Sequence, residues 1–392
     1  MPKPEHLEQH VIIILPRRQT PSDSRKPYRR KPHLLTIVCF VLAIVALVHF
    51  IAVTHSAYPT VTPTTCQGWL RTMDYTQTVH LQTKTQQMGA VQFVNQLVGG
   101  QSAVMVQVNG TDAQQTLDIY IFGCIQQQQQ FKLTTLFSQR GLPQGTAAIS
   151  PDNTLITSAL DTHQPSQDSA LEQPLQQNIY REYQWQHSAF VQVAYPSLYP
   201  VTSRAEAEAL QQQANNGQSL PWSDPLVTAE QMAKDIFHWT GSDPQDAVLS
   251  NKGSTARVQL VQQNPSITVI VTLKQLIQHN TSGLWFVVSA QSSGMALDLP
   301  RPAQSVASHI ILKGTGALAD GTITAALFDH ALSPLTFTNT TSSRVDASGN
   351  YAAALSYTNS APDQESLLLI ESLPPNGSSE VGQLLLVKVI LG

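Results

Sequence analysis

Leu34 to Val53 is a run of twenty residues without one formally charged side chain, and it follows the basic stretch Arg25, Lys26, Arg29, Arg30 and Lys31. At about 1.5 Å per helical residue such a run spans the roughly 30 Å hydrocarbon core of a bilayer, so the pattern predicts one transmembrane helix. Residues 1–33 carry eight Lys/Arg against three acids, a balance of +5, while residues 34–392 carry −9. Lys and Arg accumulate on the cytoplasmic side of a span, which places residues 1–33 inside as a short basic tail and the bulk of the chain outside. The run is longer than the apolar core of a signal peptide, and His55 interrupts the small-x-small pattern before Ala57, so an uncleaved anchor at the cell membrane is expected.

Only 12% of the 392 residues are charged, against about 25% in an average globular chain. Gln, Thr and Ser must cover the surfaces, and a nucleic-acid partner is not expected. Cys39 falls inside the apolar run, leaving Cys66 and Cys124 on the outer side. In an oxidising compartment these two are expected to form a disulfide.

Residues 54–65, with two Pro and five Thr, read as a stalk. A mainly-β extracytoplasmic domain is expected over 66–200. Its hairpin joins Ala103–Val108 to Leu117–Ile125 through a turn at Asn109-Gly110, with the second strand buried on both faces. One helix is predicted near Ala90–Leu97, and the glutamines 126–130 read as a solvated edge or loop. Tyr180, Tyr183, Trp185 and Phe190 suggest two core-packing strands, with a sugar-binding platform as the alternative. The Tyr-x-Trp…Phe pattern here resembles mycobacterial-type LppP/LprE lipoproteins, a resemblance that brings no activity with it.

An α+β domain is expected over 201–298. Ser203 with Glu206 and Thr228 with Gln231 have the spacing of capping boxes. Val227 and Met232 suit a hydrophobic staple, and Gly241 suits a helix end. Strands are predicted at Ala256–Val261, Ile267–Ile277 and Leu284–Ser289. From residue 299 to 392 only short strands follow, at His309–Gly316, Gly321–Asp329, Leu335–Thr341, Asn350–Tyr357, Ser366–Ser372 and Leu384–Leu391, the spacing of a β-sandwich. In the last of these, Lys388 is expected to point to solvent.

Lys313-Gly314-Thr315-Gly316, Gly349-Asn350-Tyr351 and Asn376-Gly377-Ser378, with the lead-in Gly283-Leu284-Trp285-Phe286 and Leu299-Pro300-Arg301-Pro302, resemble the bacterial spore germination immunoglobulin-like domain. The resemblance covers about residues 298–392. It implies an immunoglobulin-like fold at the C-terminus and a structural or interaction role in the cell envelope, the partner being an envelope protein or wall polymer, with no catalytic residues to carry over.

The twelve histidines form no HExxH, His-x-His or Cys/His cluster, and no GxSxG, SxxK or phosphate-cradling loop occurs, so no catalytic site, metal or cofactor is expected. Asp161-Thr162-His163 is the nearest pairing of acid and imidazole, and the Pro and Ser after it make it read as a loop. The sequons at Asn109, Asn280, Asn339 and Asn376 read as surface turns. The alternatives are an enzyme acting on wall polymers with Trp185 on its substrate platform, or a membrane signalling subunit.

Overall fold

The computed structural model describes residues 64–127, 130–162, 177–241, 243–263, 266–340, 343–358, 361–375 and 381–392. The expected anchor Leu34–Val53, its basic flank and Cys39 lie outside the described residues, as does most of the stalk. Among the described residues no helix is long and apolar enough to cross a membrane.

The chain is mostly β. Helix α1 (Cys66–Thr72) and the single turn α2 (Tyr75–Thr78) precede β1 (Gln86–Phe93), β2 (Ala103–Gly110), β3 (Leu117–Gln127) and β4 (Gln130–Leu142), which pair in that order as an antiparallel sheet. β3 is apolar at both parities and is buried on both faces, as its composition predicted. Leu117, Ile119 and Ile121 enter one core, Tyr120 and Phe122 another. Cys66 and Cys124 are joined by a disulfide, with Cα atoms 5.6 Å apart, fastening α1 to β3. The glutamines form the end of the β3–β4 hairpin, where Gln127 pairs with Gln130.

Two local expectations fail here. Ala90–Leu97 is not a helix: residues up to Phe93 pair with β2, and only Asn95–Val98 form a 3-10 turn. Val91 and Phe93 favour strands, and cross-strand pairing outweighs the helix preference of Ala and Gln. Asn109-Gly110 does not turn the hairpin, since β2 runs through Gly110 and the connection is residues 111–116.

β5 (Thr146–Ile149), β6 (Leu155–Leu160), β7 (Asn178–Gln186) and β8 (Ala189–Val193) make a second antiparallel sheet. The β7–β8 turn is His187-Ser188, both with positive φ (49° and 64°), the geometry of a tight hairpin whose twist matches its strands. Trp185 and Phe190 meet at 5.1 Å, and Phe137 of β4 stands edge-on to both Tyr183 (4.9 Å) and Phe190 (5.4 Å). The aromatic stretch thus packs the two sheets together.

Helix α3 (Arg204–Asn215) begins with the predicted capping box, Ser203 and Glu206 bonding reciprocally. Helix α4 (Pro225–Ile236) does not begin where expected. Asp224 is its N-cap, accepting the amides of Leu226 and Val227, and Pro225 fills the first helical position, where its missing N–H costs nothing. Thr228 therefore lies inside the helix and bonds back to the Asp224 carbonyl, and Val227 is 42% exposed rather than a staple. The helix ends at Ile236 with His238, not Gly241, taking the next left-handed position (φ 57°). Met232, Ala233 and Ile236 are buried as the stripe required.

β9 (Ala247–Lys252), β10 (Thr255–Gln263), β11 (Ser266–Lys274) and β12 (Phe286–Ser292) follow. Then come β13 (Ala296–Leu299), β14 (Ser305–Val306), β15 (His309–Thr315), β16 (Thr322–Phe328), β17 (Pro334–Leu335), β18 (Phe337–Thr340), β19 (Ser343–Arg344), β20 (Tyr351–Tyr357), β21 (Gln364–Leu373) and β22 (Gln383–Leu391). One ten-stranded sheet carries the path β17-β16-β21-β22-β12-β11-β10-β9, with β14 and β19 beside it, so it runs across residue 298 through the β12–β22 pairing of Ala290 with Leu386. A four-stranded sheet, β13-β15-β20-β18, packs on its β16-β21-β22 half in sandwich fashion.

Alternation assigns the two faces of β21 and β22. Leu368, Ile370, Leu385 and Val387 meet Ile310, Leu312 and Tyr351 of the smaller sheet; Leu367, Leu369, Leu384 and Leu386 share a core with α3, α4 and β10–β12. Gly314 and Gly316 have a steric reason in this arrangement. A Cβ at Gly314 would lie 2.2 Å from both the Ala296 carbonyl and the Tyr351 hydroxyl, and one at Gly316 (φ +74°) would lie 1.8 Å from the Gly294 carbonyl.

Candidate functional site: a buried ionic cluster

The apolar cores on either side of residue 194 are separate. Among the described residues, no buried residue before Phe190 shares an apolar cluster with Tyr195 or any residue after it. What joins the two bodies is a buried set of ionisable side chains, drawn from β7, α3, the β16–β17 turn, β21 and β22.

Lys388 corrects its sequence reading most sharply, being 4% exposed. It lies on the helix-side face of β22, beyond Leu384 and Leu386. Its amine bonds Glu365 Oε2 at 2.7 Å and donates to the Thr202 carbonyl just before α3. Glu365, 2% exposed, accepts in addition from the Tyr195 amide at 3.1 and 3.2 Å. Burial pushes the Glu365 carboxyl up to about 7 against the pull of Lys388, and the same burial lowers the Lys388 amine.

Glu182 of β7 sits on the other side of the junction, accepting from Thr154 Oγ1 (2.5 Å) and from Arg204 Nε of α3 (2.9 Å). Arg204 reaches Asp152 with Nη1 at 2.8 Å and lies over the Tyr195 ring at 5.2 Å. Glu206 is wholly buried. Its Oε2 accepts from the Ser203 amide and hydroxyl, whereas its Oε1 has no hydrogen-bond partner among the described residues, and burial raises its carboxyl above the ordinary range.

His330 and Asp161 form a second link, Nε2 to Oδ2 at 3.2 Å, with both side chains about 5% exposed. Asp161 therefore meets an imidazole from the β16–β17 turn. Its sequence neighbour His163 lies outside the described residues, and Thr162 is exposed. The His330 amide donates to Gln364, and the His330 carbonyl accepts from the Thr202 hydroxyl. Asp329 closes that turn by accepting the amides of Ala331 and Ser333, and burial raises its carboxyl. Arg181 donates from Nη2 to the Pro362 carbonyl at 2.7 Å, while its Nε and Nη1 are unpartnered among the described residues.

Of the site residues expected from sequence, Cys66 and Cys124 are brought together, in the N-terminal body away from this cluster. The cluster itself was missed. One signal was present: Leu384-Leu385-Leu386-Val387 is apolar at both parities, the mark of a strand buried on both faces, so a lysine continuing it must be buried as well.

Among the described residues no three His, Cys, Asp or Glu side chains are disposed to share a metal ion. Open depressions occur around Gln127, Phe131 and Lys132, and around Asn109, Asp112 and Gln144, all on the N-terminal body. The sequence matches no protein-family model and no curated protein.

Proposed function

We propose that the protein is a single-pass, membrane-anchored bacterial envelope protein that holds its β-rich bodies outside the membrane and acts by binding, through an immunoglobulin-like C-terminal module, an envelope protein or wall polymer. Two features support the location: the uncharged run Leu34–Val53 behind its basic flank, and the Cys66–Cys124 disulfide, which belongs to an oxidising compartment.

The observation that carries the binding role is the outer face of β15 and β20. Ile310 and Leu312 point into the core, so Ile311 points out and is 52% exposed. It pairs across to Ala354, with exposed Ala352 on the same face. The result is a flat strip of small side chains around one isoleucine, beside the exposed Lys313 and His309. A flat apolar strip with a polar margin suits a partner surface.

Deleting the module cannot test this, because β16, β21 and β22 belong to the ten-stranded sheet. A photo-crosslinking residue placed at Ile311 or at Val248 in the full chain, expressed in intact cells, leaves the fold in place. A defined adduct from position 311, lost when Lys313→Glu is added, and absent from 248, is expected. Equal adducts from both sites would remove the binding face, and release of the chain from membranes by alkaline carbonate would remove the anchor.

A further inference from the structure

The described part of the chain begins at one corner of the first sheet. Thr65 caps α1, and the Cys66–Cys124 disulfide fixes that first turn to β3. The β2–β3 ladder ends there, at Ala103 with Gly123, whereas β3 and β4 go on pairing from Cys124 with Leu133 to Gln127 with Gln130. The hairpin therefore overhangs the sheet as a two-stranded ribbon, beside the residue at which α1 begins.

This ribbon is apolar on both faces. Alternation puts Phe131, opposite Gln126, on the α1 face, where it meets the ring of Trp69 at 5.9 Å, and both residues are half-buried. Ile125, opposite Lys132, lies on the other face and is 42% exposed. Packing explains the two rings but not the isoleucine, which joins neither apolar core of the first body among the described residues. Charge is distributed unusually as well. Residues 64–73 and 123–135 contain two cations, Arg71 and Lys132, both exposed, and no acid, in a chain whose residues 34–392 carry −9. The acid nearest to α1 in sequence, Asp74, caps α2 beyond the far end of α1. Aromatic rings, an exposed aliphatic and cations without acids suit a bilayer interface, where rings lie at headgroup level and lysine reaches the phosphates over its own apolar stem.

The length of chain before this corner decides what it meets. Eleven Cα steps separate Val53 from Thr64, and whatever their conformation they reach no further than about 40 Å. We propose that Trp69, Ile125, Phe131 and Lys132 form a second, non-spanning membrane contact, seated in the anionic outer surface of the bilayer that the chain itself crosses. The inference rests on the anchored reading given above. A tether this short supplies an effective concentration on the order of millimolar, so the corner needs little affinity of its own. The contact gives the first body a fixed bearing on the membrane and leaves the Ile311 strip free for a partner.

The test uses the full chain in vesicles of phosphatidylcholine and phosphatidylglycerol, with a photo-crosslinking residue at Ile125 or, as control, at Leu249 of β9, which is equally exposed. Position 125 should gain the mass of one phospholipid and position 249 should not. Lys132→Glu should lower the yield at 125 about threefold or more, since each cation at an anionic surface strengthens attachment roughly fivefold. The unaltered chain supplies an independent reading: lipids brominated high in their acyl chains should quench tryptophan emission, and Trp69→Phe should abolish the quenching. A chain that resists alkaline carbonate yet gives no lipid adduct at 125, gives equal adducts at 125 and 249, or crosslinks to a second copy of itself would overturn the contact while leaving the anchor in place. An adduct undiminished in Lys132→Glu would overturn its preference for an anionic surface. Release of the chain by carbonate would remove the anchor and the contact together.

Discussion

The β1–β4 sheet is covered on one face by α1 and α2 and on the other by β5–β8, so its two cores are small and every strand lies within one or two of an edge. The ten-stranded sheet beyond residue 194 is covered by helices on one face and a second sheet on the other, and its strands β21 and β22 are buried at almost every position. Only the first body carries a disulfide among the described residues. The difference shows two ways of holding sheets together in a charge-poor chain. A large body holds by apolar area, which grows with size, and a small one adds a covalent link.

That contrast can be broken from either side. Phe286, fully buried at the start of β12 in the helix-side core, is expected to cost the most. Phe286→Ala should remove about 3–5 kcal/mol of stability, seen as a lower denaturant midpoint for peptides of β10–β12 and β21–β22. Equal loss in β1–β4 would mean that the two bodies unfold as one.

Removing the disulfide is the reciprocal experiment. It closes a loop of 58 residues, worth about 4 kcal/mol in the chain-entropy account and often less in practice. Cys124→Ser, or reduction of the native protein, should strip exchange protection from β1–β4 and leave β10–β12 unchanged. Equal loss in both bodies would erase the distinction.

Gly314→Ala probes the sandwich half alone. The new methyl meets the Ala296 carbonyl and the Tyr351 hydroxyl that bonds it at 2.9 Å, so either that bond or the β13–β15 register must yield. About 1–3 kcal/mol of destabilisation is expected, with the tyrosine fluorescence of Tyr351 changing before that of the tryptophans on the helix side.

Much of this architecture was legible because its signals are local or periodic. β15 and β20 alternate cleanly, and β3 showed its two-sided burial as apolar residues at both parities. The Ser203–Glu206 box needs only four residues to be recognised. The continuity of the ten-stranded sheet was not legible, because pairing Ala290 with Leu386 joins residues almost a hundred apart and no local pattern encodes it. The ionic cluster was hidden for the same reason. Asp161 and His330 are 169 residues apart, and each alone reads as a loop residue. Lys388 was misplaced because alternation was read on one face of a strand that has no solvent face at all.

The start of α4 gives the smallest effect and the sharpest discrimination between two sequence signals. Thr228 and Gln231 have capping-box spacing, but so do many interior helix positions, and the preceding Asp224-Pro225 is the stronger start: proline at the first helical position supplies a preset φ, and aspartate satisfies two orphan amides. Asp224→Ala should therefore cost about 1 kcal/mol and fray the first turn, exposing the amides of Leu226 and Val227 to exchange. Thr228→Ser keeps the hydroxyl that bonds the Asp224 carbonyl and removes only a methyl from a buried site. It should leave those two amides as protected as before. If instead Asp224→Ala left them unchanged and Thr228→Ser exposed them, the helix would begin a turn later than Asp224, and the local rule that failed in sequence would be the correct one.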